Sequence, residues 1–254
     1  MSILVSTQDA IMTIEFDRAD KKNAITAAMY QTMADALAAA EKDSAVRAIL
    51  IQGKPEVFTA GNDLSDFMNN PPSGSNTPVF QFLTNISHAS KPIVAAAAGA
   101  AVGIGTTMLL HCDLVYAAES AKFSMPFASL GLCPEAASSL LLPALAGYQR
   151  AAEKLLLGEP FPAAEAQQMG LVNRVLPVGE LQSYARARAL ALAAQPASSL
   201  RVTKALMKGV SLERMEAQMA REGGEFRRML GSPEAKEAFS AFFERRKPDF
   251  SRFA

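Results

Sequence analysis

The feature that most constrains the fold is an uncharged stretch at residues 92–110, PIVAAAAGAAVGIGTTMLL. This stretch is nearly long enough to span a bilayer. It consists mainly of alanine and glycine, with little leucine or isoleucine, which favours a buried strand, a turn and a helix over a membrane span. We therefore expect a core built around this segment, and no membrane insertion.

Strand and helix patterns alternate through the first half of the chain. Apolar and β-branched residues predict strands at 3–6, 10–16, 46–53, 93–98 and 113–117. Apolar residues at helical spacing predict helices at 27–43 and 79–89, and a short helix from about Gly103. This order indicates an α/β fold with helices covering the faces of a sheet. A polar, low-complexity stretch at 69–78 predicts a mobile surface loop.

From Glu135 onward the patterns are mostly helical, with one further strand in GLVNRVLP at 170–177. Apolar stripes beside charged faces predict helices at 181–195, 199–209, 212–230 and 233–248, separated by glycine and proline. We divide the chain into a core at 1–195 and a helical region at 196–254. The stripe of Met207, Met215, Met219 and Met229 could pack on the protein's own core, which we favour, or on another subunit.

Composition excludes several classes of function. The 254 residues include 25 basic and 25 acidic side chains, a balance that argues against nucleic-acid binding. Two cysteines and two histidines are too few for a disulfide framework or a multi-histidine metal site, so we predict no metal. The first residues lack a secretory signal and the last three are not a peroxisomal address, so we expect a cytoplasmic protein.

Two glycine-containing segments predict exposed backbone N–H groups. In FTAGNDLSDF at 58–67, Ala60 and Gly61 follow a predicted strand and let a ligand approach the backbone closely. In GAAVGIGTTMLL at 99–110, Gly103 and Gly105 flank Ile104 at a predicted helix start, where unpaired N–H groups gather. Taken singly, each segment is better explained as an ordinary tight turn between a strand and a helix.

Glu135 is the only charged residue of residues 125–143, MPFASLGLCPEAASSLLLP. A glutamate directly after Pro134 is ordinary chemistry for the first turn of a helix. A carboxyl group in apolar surroundings also suits proton transfer, and one residue can serve both purposes. An apolar environment would raise its pKa and a helix N-terminus would lower it.

Together and in this order, the segments resemble the crotonase family, also called the enoyl-CoA hydratase/isomerase family. FTAGNDLSDF resembles the family's F-x-A-G-x-D-[LI] segment, and the stretch beginning KPIVAAAAGAAVGIG resembles its P-x-[IV]-A-A-x-x-G-x-A-x-G-x-G segment. SPEAKEAFSAFFERRKPDF is similar to its C-terminus, so the resemblance covers nearly the whole chain. It implies a spiral of ββα units, a helical C-terminal region used in homotrimers or dimers of trimers, and an acyl-CoA thioester substrate with no separate cofactor.

The resemblance also implies roles for individual residues. The backbone N–H groups of Ala60 and Ile104 would form an oxyanion hole around the thioester carbonyl. The segment around Lys22 and Ala24 would hold coenzyme A, and Lys247 would contact one of its phosphates across a subunit contact, unless it belongs to a solvated charge cluster. The thioester arm would lie along Ala60, Gly61, Asn62, Asp63 and Leu64, and Gly103 would also contact the substrate. By position, the fatty tail would contact Phe67, Met68, Phe127 and Leu132.

The positions at which this chain departs from the family pattern narrow the range of reactions that it could catalyse. Hydratases of the family carry a glutamate where this chain has Thr107 and a second glutamate where it has Phe127, after Pro126. Both members of the acid–base pair that adds water are therefore missing. The run containing Glu135 resembles the Δ3,Δ2-enoyl-CoA isomerase branch, where one glutamate moves a proton from C2 to C4.

The sequence therefore predicts a 3-enoyl-CoA to trans-2-enoyl-CoA isomerase of fatty acid oxidation, with Glu135 as the proton shuttle. Alternatives are another crotonase-type reaction (hydratase, decarboxylase or hydrolase) or an acyl-CoA-binding protein with little catalysis. Among the remaining polar residues, Asp63, Asp113 and Glu119 are predicted to serve turns and caps. His88 and His111 are expected to be core histidines, and Ser138 and Ser139 lack an evident histidine partner for nucleophilic chemistry.

Overall fold

The computed structural model describes residues 2–69, 74 and 76–253. Its strands are β1 (Ile3–Gln8), β2 (Ile11–Phe16), β3 (Ala48–Gln52), β4 (Val57–Thr59), β5 (Ile93–Ala97), β6 (Ala100–Val102), β7 (Leu114–Ala118), β8 (Lys122–Ser124), β9 (Phe161–Pro162) and β10 (Arg174–Leu176). Its helices are α1 (Ala27–Lys42), α2 (Leu64–Asn69), α3 (Pro78–His88), α4 (Ile104–Thr107), α5 (Ser138–Ala146), α6 (Tyr148–Ala152), α7 (Ala163–Gln168), α8 (Val178–Ala193), α9 (Ala197–Leu230) and α10 (Pro233–Phe243). Short 3-10 turns cover Ala19–Lys21, Met108–His111 and Ala128–Leu130, and a π-helical turn covers Glu153–Leu157.

The larger sheet has the strand order β1-β2-β3-β5-β7-β10. The β1–β2 pair is antiparallel and the other pairs are parallel. Strands β3 and β5 are almost entirely buried, because helices cover both faces of the sheet. On one face, α1 and α3 enclose a core that includes Phe16, Met33 and Ile86. On the other face, α8 contributes Leu181 and Ala185 to a second core.

The smaller sheet has the order β4-β6-β8-β9. Each of the consecutive pairs β3–β4, β5–β6 and β7–β8 places its first strand in the larger sheet and its second in the smaller one. With the helices that follow, these pairs form the predicted α/β arrangement of ββα units. The strands of the smaller sheet have two or three residues each, too few for a periodic pattern, and were not predicted individually.

The uncharged stretch at 92–110 forms β5, β6, α4 and most of the adjoining 3-10 turn, and most of it is buried, as predicted. In the described part of the chain, no helix combines the length and apolar character needed to cross a membrane. Half of the predicted mobile loop at 69–78, residues 70–73 and 75, falls outside the described ranges.

The C-terminal region contains one long helix where the sequence predicted two. The segments at 199–209 and 212–230 lie in the single 34-residue helix α9. The predicted break at Gly209 is wrong, because an internal glycine costs a helix only about 1 kcal/mol. Burial of Met215 and Phe226 further along the helix offsets that cost.

The methionine stripe divides between the core and the surface. Met215 is buried, and Met219 and Met229 pack against the core, which confirms self-packing for these three. Met207 is 69% exposed, so self-packing is wrong for this residue. It lies on the same α9 surface as the exposed side chains of Val202, Leu206 and Val210.

Candidate active site

The loop after β4 presents one backbone donor, at a position different from the one expected. The Ala60 N–H donates to the Lys22 carbonyl at 2.9 Å and is therefore occupied. Ile25 pairs with the loop by donating to Gly61 O and accepting from Asp63 N, so the N–H of Asn62 points to the opposite side. Among the described residues, the Asn62 N–H meets no acceptor. The free donor of this loop is thus Asn62, and the assignment of Ala60 as that donor is corrected.

Close packing of the backbone holds this loop in place. Gly61 has φ +86°, and a Cβ at this position would lie 2.7 Å from the Val102 carbonyl oxygen. The buried Asn23 amide donates to the carbonyls of Val57 and Phe58, joining the preceding segment to β4. The Tyr30 hydroxyl donates to Asn62 Oδ1 at 2.5 Å. The loop at Asn62 is therefore held by β6, which contains Val102, and by α1, which contains Tyr30.

A second free donor lies at the end of β6. Gly103 has φ 56° and ψ −118°, and α4 begins at the next residue, Ile104. The N–H groups of Thr106 and Thr107 both donate to the Gly103 carbonyl. The Ile104 N–H is the first of the helix and has no acceptor within the residues that the structure covers.

Glu135 is buried in a turn between the 3-10 turn at Ala128–Leu130 and α5. The expectation that it occupies the first turn of a helix is wrong, because α5 begins only at Ser138. Ala136 and Ala137 have left-handed backbones with φ 58° and 55°. A non-glycine residue in this region costs about 1–3 kcal/mol. Tertiary contacts must therefore hold the turn from which Glu135 projects.

Two buried side chains supply these contacts. His111 Nε2 lies 2.8 Å from the Ala136 carbonyl and donates to it, and burial lowers the pKa of His111 to about 4, so the imidazole is neutral. Glu222 of α9 accepts from the N–H groups of Ala137 at 2.6 Å and Ser139 at 3.0 Å. His111 is thus a core histidine, as predicted, whereas His88 is exposed and paired with Glu216.

Glu222 is a residue that the sequence analysis missed. The sequence does indicate that Glu222 faces the core. It lies at helical spacing within the apolar stripe of α9, which runs through Met215, Met219, Phe226 and Met229. A glutamate at a core-facing position requires buried partners. The structure shows those partners to be the backbone and hydroxyl groups at the start of α5.

Burial determines the ionisation of Glu135. It raises the pKa of this carboxyl group to about 8, the negative charge of Glu222 adds to the rise, and a hydrogen bond from Thr107 opposes it. That hydrogen bond joins Thr107 Oγ1 and Glu135 Oε1 at 3.4 Å. Burial and the charge of Glu135 also raise the pKa of the buried Tyr30 hydroxyl well above its usual value. The site therefore contains a carboxyl group that can give and take a proton near neutral pH.

Two cavities meet at Glu135. The first has a volume of about 550 Å³ and the second about 460 Å³. Glu135, Phe67 and Phe226 line both cavities, and the two phenyl rings meet edge to face with centroids 6.0 Å apart. Thus Glu135 faces two cavities that share part of their walls.

The first cavity brings together most of the residues predicted to bind substrate. It is lined by Lys22, Ala24, Ala60, Gly61, Asn62, Asp63, Leu64, Gly103, Ile104, Phe127 and Leu132. Lys247 is exposed on the C-terminal segment and does not line this cavity, so its contact across subunits stays a prediction. Met68, predicted to contact the fatty tail, is half exposed and lines neither of the two cavities.

Three of the other polar residues, Asp63, Asp113 and Ser139, have side-chain partners. Asp63 accepts from the Asp66 N–H at 3.2 Å and pairs with Arg18 at 2.7 Å, as expected of a turn and cap residue. Asp113 accepts from Ile93 N and Lys204 Nζ, and Glu119 lies in an exposed turn. Ser139 bonds to Glu222 and Gln218, while the buried Ser138 hydroxyl has no partner among the described residues. Across the same residues, no group of three His, Cys, Asp or Glu side chains is arranged to hold a metal.

The raised pKa of Glu135 predicts that folding weakens as pH increases. Between the ordinary pKa of 4.5 and the folded value of about 8, the folded protein retains a proton that the unfolded chain has lost. The free energy of unfolding should fall across this window by at most about 1.4 kcal/mol per pH unit on this account. Glu135→Gln should remove that component. Urea unfolding of both proteins across the window measures it, and parallel pH curves would contradict the assignment.

Comparison with known proteins gives consistent matches over the whole chain. The family model described as Enoyl-CoA hydratase/isomerase matches residues 6–252. Enoyl-CoA delta isomerase 2 from Homo sapiens is 34% identical over 252 residues, which are 96% of this chain and 64% of the human protein. The 1,2-epoxyphenylacetyl-CoA isomerase of Escherichia coli (strain K12) is 32% identical over 258 residues, covering 98% of both chains. These names describe different reactions.

A solved structure supports the fold. The enoyl-CoA hydratase/isomerase from Pseudoalteromonas atlantica T6c has a TM-score of 0.95 and 42% identity to this chain, covering 99% of it and 100% of that protein. The fold class predicted from the sequence is thereby confirmed. The agreement extends through the C-terminal helical region.

Proposed function

Because the chain belongs to the enoyl-CoA hydratase/isomerase family, we propose that it shifts the double bond of 3-enoyl-CoA thioesters to the trans-2 position. The observation that carries this function is the place of Glu135. Among the described residues, it is the only acidic side chain that lines both cavities. A substrate that extends from one cavity to the other must pass this carboxyl group.

The first cavity suits the thioester end of such a substrate. The free N–H groups of Asn62 and Ile104 lie on residues that line it, and together they would receive the thioester oxygen. Lys21, Lys22 and Ala24 at the same cavity would contact coenzyme A. The second cavity, with Val79, Leu83 and Met219 in its wall, would take the acyl tail.

The chemistry requires one base that becomes an acid. The Glu135 carboxylate takes a proton from C2, and the electrons of that C–H bond move toward the thioester oxygen, giving a dienolate held by the two N–H groups. The protonated Glu135 then delivers the proton to C4 while the C2–C3 double bond forms. The pKa of about 8 lets the same carboxyl group do both at neutral pH.

The surroundings of Glu135 support isomerisation over hydration. Thr107 and Phe127 occupy the positions where the resemblance places the hydratase glutamates, and both are buried. Glu222 does not line either cavity, because its oxygens are bonded to the start of α5. Among the described residues, the other acidic side chains in the cavity walls are Asp63 and Glu216, and they are paired with Arg18 and His88, which argues against a second carboxyl group activating water beside Glu135.

Turnover of two thioesters tests this function. We expect conversion of cis-3-hexenoyl-CoA to trans-2-hexenoyl-CoA, and addition of water to crotonyl-CoA slower by about 100-fold or more, since the second acid–base group is missing. In D2O, a single shuttling carboxyl group should return part of the C2 protium to C4. Rapid hydration of crotonyl-CoA, or no conversion of the 3-enoyl ester, would contradict the proposal.

Self-association of the chain is part of the same proposal. The exposed side chains of Val202, Leu206, Met207 and Val210 share one surface of α9. An apolar helix surface of this kind is typical of a contact with another chain. It supports the homotrimer, or dimer of trimers, that the family resemblance implies.

A further inference from the structure

We infer that Glu222 is a positioning residue for Glu135: its carboxylate holds the left-handed turn that presents Glu135 to the substrate. Glu222 is only 5% exposed and lies on α9, far along the chain from the turn. Its two oxygens accept from the Ala137 N–H, the Ser139 N–H and the Ser139 hydroxyl. This role rests on the isomerase function proposed above, in which Glu135 moves the proton from C2 to C4.

The turn needs such a partner because its own sequence does not stabilise it. Ala136 and Ala137 adopt left-handed conformations that alanine disfavours. Ala137 is also the residue before α5, and its methyl group cannot cap the first N–H groups of the helix. The Glu222 carboxylate takes the place of the missing cap from another part of the fold, where the first N–H groups of a helix favour negative charge.

A hydrogen-bond network fixes Glu222 in this position. Gln218, one turn earlier on α9, donates through Nε2 to Ser139 Oγ at 2.7 Å. Cys133 Sγ donates to the Glu222 carbonyl at 3.6 Å, from the residue two before Glu135. On the opposite side, His111 holds the Ala136 carbonyl. The turn is therefore held on both sides, and α9 supplies the charged partner.

The charge of Glu222 also acts on Glu135. The titratable groups that interact with Glu135 are Glu222 from α9, Tyr30 from α1 and Cys133 from the same turn, and Thr107 from α4 forms a hydrogen bond with it. His111 is neutral and bonded to the turn. Burial raises the pKa of Glu222, whereas all three of its hydrogen-bond partners donate to it, which opposes that rise and favours the ionised form. An ionised Glu222 raises the pKa of Glu135 beyond the effect of burial, so Glu222 contributes both position and proton affinity.

Glu222→Gln separates this role from simple packing. The amide keeps the size of the side chain but removes its charge and one acceptor. In kinetics with 3-hexenoyl-CoA, kcat should fall about 10- to 100-fold. The pH midpoint of kcat/KM, near 8 in the wild type, should move down by about 1 unit. Glu225→Gln is the matched control, because Glu225 is exposed on the same helix and pairs with Arg228, and it should leave both quantities unchanged.

A second measurement makes the outcome independent of the substrate. Carbon-13 NMR of glutamate-labelled protein, with the Glu135 signal identified by its loss in Glu135→Gln, follows the titration of that carboxyl group without any thioester. A lowered midpoint in Glu222→Gln supports the inference even if 3-hexenoyl-CoA proves not to be a substrate. An unchanged midpoint overturns it, even if the isomerase function holds.

Glu222→Asp provides the test if Glu222→Gln does not fold. Aspartate keeps the charge but is one methylene shorter, so it cannot hold the turn in the same place. We expect a pH midpoint close to that of the wild type with kcat reduced about tenfold. An unchanged kcat in this variant would overturn the positioning role.

Discussion

Replacing Glu135 with glutamine is expected to lower kcat for 3-hexenoyl-CoA by about 10³- to 10⁴-fold. The amide has nearly the size of the carboxyl group and should keep the packing of this buried site. It cannot take the proton from C2, and no other acidic residue of the described chain lines both cavities to replace it. Steady-state kinetics with the purified variant measures the loss.

Glu119→Gln is the matched control for this substitution. Glu119 lies in an exposed turn after β7 and lines neither of the two cavities, so kcat should stay at the wild-type value. Thermal unfolding with and without a saturated acyl-CoA ester shows whether Glu135→Gln still binds the thioester. Retained binding with near wild-type kcat would disprove the shuttle, whereas retained binding with lost turnover is the result we expect.

Replacing Ile104 with proline is expected to lower kcat by about 100- to 1000-fold, the usual effect of losing one oxyanion donor. Proline has no N–H, and Ile104 is the first residue of α4, where proline is well tolerated. The preceding Gly103, with φ 56° and ψ −118°, lies outside the helical region that proline disfavours in its neighbour. The substitution therefore removes the donor without breaking the helix.

Ile104→Ala separates the loss of the donor from the loss of packing. Ile104 is only 1% exposed, so both variants lose buried apolar contacts and some stability. The alanine variant keeps the N–H and should retain most of the activity. The ratio of the two kcat values isolates the hydrogen bond, and equal values would show that the Ile104 N–H does not stabilise the reacting thioester.

The sequence predicted the elements of the fold wherever a periodic pattern was long enough to be visible. The strands near 93–98 and 113–117 and the helix at 27–43 were found because their apolar residues follow a strand or helix period. Strands β4, β6 and β8 have three residues each and carry no such period. Gly209 suggested a break because glycine weakens an isolated helix, but packing along α9 outweighed that preference.

Part of the site could also be predicted, where a local pattern in the sequence indicates it. Ile104 follows a glycine at a helix start, and a free N–H at that point follows from helix geometry alone. In the loop at 58–67, however, the N–H groups of alternate residues point to opposite sides, and the partner of the loop decides which side faces the cavity. Pairing with Lys22 and Ile25 occupies the Ala60 N–H and leaves that of Asn62 without an acceptor in the described part of the chain. No local pattern indicates this pairing.

By itself, the sequence determined the α/β class, the family, and the identity of Glu135 as the one acid in an apolar run, because these depend on residue types and their spacing. Only the tertiary structure decided how Glu135 is held and what its pKa is. Ala136 and Ala137 have no intrinsic preference for a left-handed turn, and the carboxylate that stabilises it lies on α9, nearly ninety residues away. Burial among apolar side chains and the charge of Glu222 then determine the proton affinity, and both arise only when distant segments pack together.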